Sequence, residues 1–202
     1  MKIIICFIIA FLPLNFLRIY FYNFIKDYKI LNNSKIGFGS IIIAKRIKIY
    51  NSKLGKFNFI KINNLKLDKS NVSNFNIINN FNQLECINES LIGSYNKLIG
   101  ENIENGNLKM DKSQFTTSHL VNVNNRFELD KDVVFGGKKS LINIGLSNEP
   151  TIINRNVYFG SSIYLSAGLK IVSEVLIGSG TIVSESLNKR GLFVSHKIRK
   201  II

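Results

Sequence analysis

Between Ile153 and Asn188 the chain reads in sixes: INRNVY, FGSSIY, LSAGLK, IVSEVL, IGSGTI and VSESLN. The first column, Ile153, Phe159, Leu165, Ile171, Ile177 and Val183, is apolar without a miss. The fifth column, Val157, Ile163, Leu169, Val175, Thr181 and Leu187, departs only at Thr181. The columns between are mostly Gly, Ser, Ala, Asn and Glu. A period of six is neither the 3.6 of a helix nor the alternation of a half-buried strand. It fits a coil with three flat faces, each a short strand plus a turn, in which one large side chain per face points to the axis and small residues pass the corners. Stacked coils then pair as parallel strands about 4.8 Å apart. The predicted fold class is all-β, a parallel β-helix.

The same count of six runs upstream through Val123, Leu129, Phe135 and Leu141, with Ser147 in the gap before Ile153. Residues 142–151 break the aliphatic columns and read as a loop extruded from the coil. Ile36-Gly37-Phe38-Gly39-Ser40 opens an earlier run with Ile42, Leu54 and Ile60. Leu91-Ile92-Gly93 and Leu98-Ile99-Gly100 repeat an aliphatic-Gly pair in shifted register. The Asn-rich stretch Ser73 to Asn82 reads as a deteriorated coil or a surface loop. The organisation is a hydrophobic N-terminal segment over 1–30, a β-helix over 31–188 and a basic tail over 189–202.

The uninterrupted apolar run Ile3 to Leu14 contains Pro13 and is too short to span a bilayer comfortably. Lys2 precedes it as in a signal peptide, but no small-x-small cleavage site follows. After Pro13, Leu14, Leu17, Phe21, Phe24 and Ile25 recur at helical spacing. An amphipathic helix there either caps the open end of the β-helix or lies in a membrane interface through residues 1–25.

Of 202 residues, 46% are hydrophobic, enough to fill a core. The net charge of +14 is a single-sign field that attracts anions: cofactor phosphates, acidic glycan or anionic lipid. Nucleic acid ranks last, because no helix-turn-helix, zinc-finger or aromatic-plus-basic signature accompanies the charge. A solvated lysine-rich surface accounts for much of it. Cys6 and Cys86 form neither a disulfide framework nor a metal cluster, which suits a reducing cytoplasm, with peripheral inner-membrane attachment the other option.

The stretch from FLPLNFLRIYFY through IGFGS to the C-terminus resembles bacterial hexapeptide-repeat acyltransferases of the left-handed β-helix class. The segments GNLKMDKSQFTTSH, DVVFGGKKS and SNEPTI and the terminal hexads carry the likeness. It looks closest to O-acetyltransferases of surface-polysaccharide clusters, of maltose/galactoside acetyltransferase type. The resemblance implies the left hand of the helix, a homotrimer, acetyl-CoA as co-substrate between neighbouring β-helices and no metal. It also implies a glycan or nucleotide-sugar acceptor, and a histidine that takes the proton of the acceptor hydroxyl as this attacks the thioester. An imidazole suits that role because it titrates near working pH.

His119 in TTSHL matches a histidine of the resembling sequences and is the candidate base; an ordinary partly buried histidine is the plainer reading. The second histidine that relatives carry after the segment matching FGGKKS is absent, since Ser140-Leu141-Ile142-Asn143 stands there. Either His119 serves as base or the chain is a degraded β-helix acting as a binding or assembly subunit. Ser161, Ser179 and Ser184 fall where small residues of relatives approach the pantetheine arm, or are simply corner residues. Lys197, Arg199 and Lys200 of the tail, with Lys189 and Arg190 before them, are the candidate grip on the nucleotide phosphates. Glu185, where relatives often carry Lys, weakens that grip. A β-helical zinc enzyme would need three histidine ligands, and the chain has two histidines.

Overall fold

The computed structural model describes residues 2–26 and 28–194. The chain winds into a left-handed parallel β-helix with three sheets of 8, 9 and 8 strands. Face A runs from Lys29–Ile30 to Lys170–Ile171, face B from Lys35–Ile36 to Gly191–Phe193, and face C from Ile41–Ile43 to Ile182–Val183. The chain visits the faces in the order A, B, C, and every pairing is parallel, as with Ile36 opposite Leu54 and Ile42 opposite Ile60.

Alternation within each short strand produces the core. Arg46–Tyr50 alternates outward and inward, burying Ile47 and Ile49 and exposing Arg46 and Lys48. All six first-column residues from Ile153 to Val183 are buried, and so are the fifth-column residues from Val157 to Thr181. In the middle coils the interior is aromatic. Phe115, Phe135 and Phe159 stack along the axis, with ring centroids 5.1 and 4.1 Å apart.

A polar ladder climbs the inside of the corner between faces B and C. Asn58 Oδ1 accepts from the Asn76 amide, Asn76 Oδ1 from the Asn96 amide and Asn96 Oδ1 from the His119 amide, at 2.9, 2.8 and 2.8 Å. These side chains are buried, and the ladder satisfies corner amides that would otherwise lose water without a partner.

The N-terminus folds as α1 (Lys2–Ala10) and α2 (Asn15–Lys26), which cover the first coil. Strands of that coil have a neighbour on one side only, so their outer backbone groups need partners. The polar stripe of α2 supplies them. Asn15 accepts from the Ile36 amide at 2.8 Å and donates to Ser34, and Arg18 Nε donates to the Ile36 carbonyl at 2.9 Å. The Tyr22 hydroxyl accepts from the Ile42 amide and donates to the Ser40 carbonyl, each at 3.2 Å. Asn23 pairs with both backbone groups of Ile30. The apolar residues predicted to define the packing face of this helix do not all pack: Leu14, Phe24 and Ile25 are exposed, whereas Arg18 is buried. Hydrogen-bond demand at the sheet edge orients α2 together with burial of Ile19 and Tyr22.

Three expectations about the middle of the chain need correction. Ser73 to Asn82 is part of a regular coil: Asn76 belongs to the ladder, Ile77–Asn79 is a strand and Phe81 is buried. The extruded loop is shorter than 142–151, because Leu141–Ile144 and Thr151–Ile153 are strands. Leu141 points out and Ile142 in, since the pairing of Gln114–Thr117 with Val134–Lys138 shifts by one residue at the adjacent glycines. The basic tail also begins as structure, with Gly191–Phe193 pairing to Val175–Ile177.

Candidate functional site

His119 opens the face C strand Leu120–Asn122 at the B–C corner and is 1% exposed. Its Nδ1 accepts the Ser140 amide proton at 3.2 Å, which places the ring proton of the neutral form on Nε2. Nε2 then donates to Thr116 Oγ1 at 3.1 Å, and that hydroxyl donates onward to the carbonyls of Phe135 or Gly137. Burial holds the imidazole pKa down at about 4, so the ring is neutral at pH 7. The arrangement is that of a rung in the polar ladder with both nitrogens occupied.

The corner outside this ring is open and built of small groups. Lys139, Ser162 and Gly180 stack above Ser118, each amide bonding to a corner carbonyl of the coil before. The Ser161 amide donates to Ser179 Oγ at 3.0 Å. Gly137, at φ +64°, lies so close to Ser161 that a Cβ there would meet its Oγ at 1.7 Å, so the backbone fits only without a side chain. The fold thus brings His119, Ser161 and Ser179 to one corner, with exposed Lys138 and Lys139 between them. Ser184 follows the face C strand Ile182–Val183 and sits on the other side of that face, away from this corner. Lys197, Arg199 and Lys200 lie outside the described residues, and Arg190 pairs with Glu174 at 3.3 Å on the surface.

Two features escaped sequence reasoning. At the corner between faces C and A, the loops at 100–106 and 145–150 border a cleft of about 590 Å³ lined by Glu101, Glu104, Asn124, Asn143 and Glu149. Both loops interrupt the six-residue period, and the aliphatic columns signal only the second. Along the B–C corner of the early coils, Phe38, Phe57, Phe75 and Tyr95 form an exposed ladder with centroids 5.9, 5.4 and 5.1 Å apart. Phe57, Phe75 and Tyr95 hold φ of 54°, 58° and 62°. The corner itself imposes this left-handed φ, which recurs at Ser118, Lys139 and Ser162, and bulky residues there carry strain that glycine would not.

No family model matches the chain. It is similar to the protein described as bifunctional protein GlmU from Campylobacter jejuni. The match is 38% identical over 58 residues in subspecies jejuni strain 81-176 and 40% over 58 residues in subspecies doylei. It covers 29% of this chain and 14% of those relatives. Repeat, solenoid and similarity agree, and the chain is a hexapeptide-repeat β-helix.

Proposed function

We propose that this β-helix is an acyltransferase that moves an acetyl group from acetyl-CoA to a sugar hydroxyl of a surface polysaccharide or its precursor, in the manner of the maltose/galactoside type it resembles. The observation that supports it best is the alignment of His119, Ser161 and Ser179 along one corner of small residues, flanked by Lys138 and Lys139. An extended thioester fits such a shallow channel, with the lysines facing its phosphates. The polar cleft at the neighbouring corner offers carboxylate and amide groups for a polyhydroxylated acceptor. The working unit is a homotrimer, in which a second copy packed on the corner would close the channel.

In the reaction the acceptor oxygen attacks the thioester carbonyl, the C–O bond forms, the C–S bond breaks and the thiol leaves with the proton. For His119 to take the hydroxyl proton it must release Thr116 and present Nε2 as an acceptor, moving its own proton to Nδ1 at the expense of the Ser140 bond. The double occupation of the ring favours a second reading, a β-helix that binds acetyl-CoA without turning it over. His119→Asn separates the two. Asn keeps an acceptor for the ladder, as Asn96 does one coil earlier, but cannot accept a proton. Release of CoA by the native protein with a sugar acceptor, abolished in the folded variant, supports the base. Equal turnover in the variant removes His119 from the chemistry, and calorimetric binding of acetyl-CoA without turnover in the native protein supports the second reading.

A further inference from the structure

The cap carries apolar residues on both of its sides. Cys6, Ile9 and Ile19 and the polar stripe of α2 face the β-helix, yet a second apolar side faces away, with Ile4, Phe7, Ile8, Phe16, Tyr20 and Phe24 between 53% and 75% exposed. Exposed apolar stripes of this kind, with Phe7 packed on Phe11 and Tyr20 stacked on Phe24, mark a contact with something nonpolar. No helix among the described residues is long and apolar enough to cross a membrane, so the face offers surface contact rather than a span.

The charge says what it touches. Residues 1–72 carry 13 of the 27 Lys and Arg but two of the 13 Asp and Glu, a net +11, whereas residues 73–194 carry 11 of each and are neutral. The cations also stand in columns. Lys29, Lys48 and Lys66 are register partners on face A, and Lys35 and Lys53 on face B. Like charges directly opposite on neighbouring strands repel, so such columns gain from an anionic surface that offsets them. Coils spaced about 4.8 Å apart put the first two within roughly one Debye length of the helices, about 10 Å. Lys35, Lys53 and Lys56 further line a groove with Phe38 beside the break between α1 and α2.

We propose that the outer face of α1 and α2 lies on an anionic lipid bilayer, with the lysine columns of the first coils facing its headgroups and the β-helix standing away from it. The inference does not depend on the acyltransferase reading. Its test is co-sedimentation of the full chain with phosphatidylcholine vesicles, with and without phosphatidylglycerol. Binding should be at least roughly tenfold stronger to the anionic vesicles and should fall as salt rises. A Phe16→Ser/Phe24→Ser variant should lose binding to both vesicles, and Lys29→Glu/Lys48→Glu should lose the anionic preference alone. Both variants alter exposed positions, so an unchanged far-ultraviolet spectrum checks their fold. Absence of vesicle binding overturns the proposal. So does a native protein that self-associates in solution through this face, losing that association in the Phe16→Ser/Phe24→Ser variant.

Discussion

The Ser140 amide donates to Nδ1 of His119, and this one bond decides which nitrogen of the imidazole carries the proton. Protonating the ring would force a second N–H against the Ser140 amide, in a site that burial already makes hostile to charge. The folded pKa is about 4, below the ordinary 6.5. A depressed pKa contributes stability that is present above pH 6.5 and lost as the pH falls towards 4. The whole difference is worth at most about 3 kcal/mol. We expect the His119 ring signal to titrate near pH 4 by NMR. Denaturant unfolding should show a stability loss between pH 6.5 and 4 that is smaller in His119→Asn. Titration near pH 6.5 in the folded protein would mean that the ring faces solvent.

The interior aromatic stack makes a second expectation. Phe135 is fully buried between Phe115 and Phe159. Truncation to Ala leaves a cavity that neighbouring coils cannot close, because each is held in register by parallel pairing on three faces. Phe135→Ala should cost about 3–5 kcal/mol. Coils of a solenoid contact only their neighbours, so the damage should be local. Hydrogen exchange should accelerate across residues 115–159 and stay slow around Ile42 and Ile60. A uniform acceleration would show that the coils unfold as one unit.

How legible the fold was depended on the coil length. From Ile153 to Val183 the register advances by 18 residues per coil, so counting by six stays in phase and every core position was readable. Between Ile78 and Leu165 the step varies from 19 to 24 residues, because of the loops at 100–106 and 145–150 and the extra residue beside Gly136 and Gly137. A fixed count then lands on Leu141 instead of Ile142. Asparagine is hard to place from sequence for another reason. In Asn58, Asn76 and Asn96 it is an interior hydrogen-bonding rung, a role decided by the coil above and invisible to local pattern. For the candidate site, sequence picked His119, Ser161 and Ser179 but not the engagement of the His119 ring, which is set by Thr116 and by Ser140, a full coil away.

The cap yields a third expectation. The Tyr22 hydroxyl bridges the Ile42 amide and the Ser40 carbonyl in a buried site, and Arg18 Nε serves the Ile36 carbonyl. Tyr22→Phe leaves two buried backbone groups without a partner and should cost about 1–3 kcal/mol. Arg18→Met should cost a similar amount while conserving the aliphatic stem. Both variants should expose the first coil to proteolysis before any change reaches Ile171. Resistance equal to the native protein would show that water replaces these side chains without loss.

The exposed ladder tests the oligomer. Phe75 stacks on Phe57 and Tyr95 within 13° of parallel, yet is 45% exposed and held at φ 58°. Asparagine tolerates the left-handed region with less strain, so Phe75→Asn regains part of a backbone cost of about 1 kcal/mol. It forfeits stacking worth about 0.5–1.5 kcal/mol per pair. Two pairs are lost, about 1–3 kcal/mol in all, so the single chain should lose up to about 2 kcal/mol of stability and stay folded. A partner copy seated on the ladder would lose an aromatic anchor instead, with no compensating gain. Sedimentation equilibrium should then show a trimer in the native protein and at least a roughly tenfold weaker association in the variant, the effect of about 1.4 kcal/mol. A native chain that stays monomeric, or a variant that associates unchanged, would leave the strained ring stack facing water and remove it from the trimer contact.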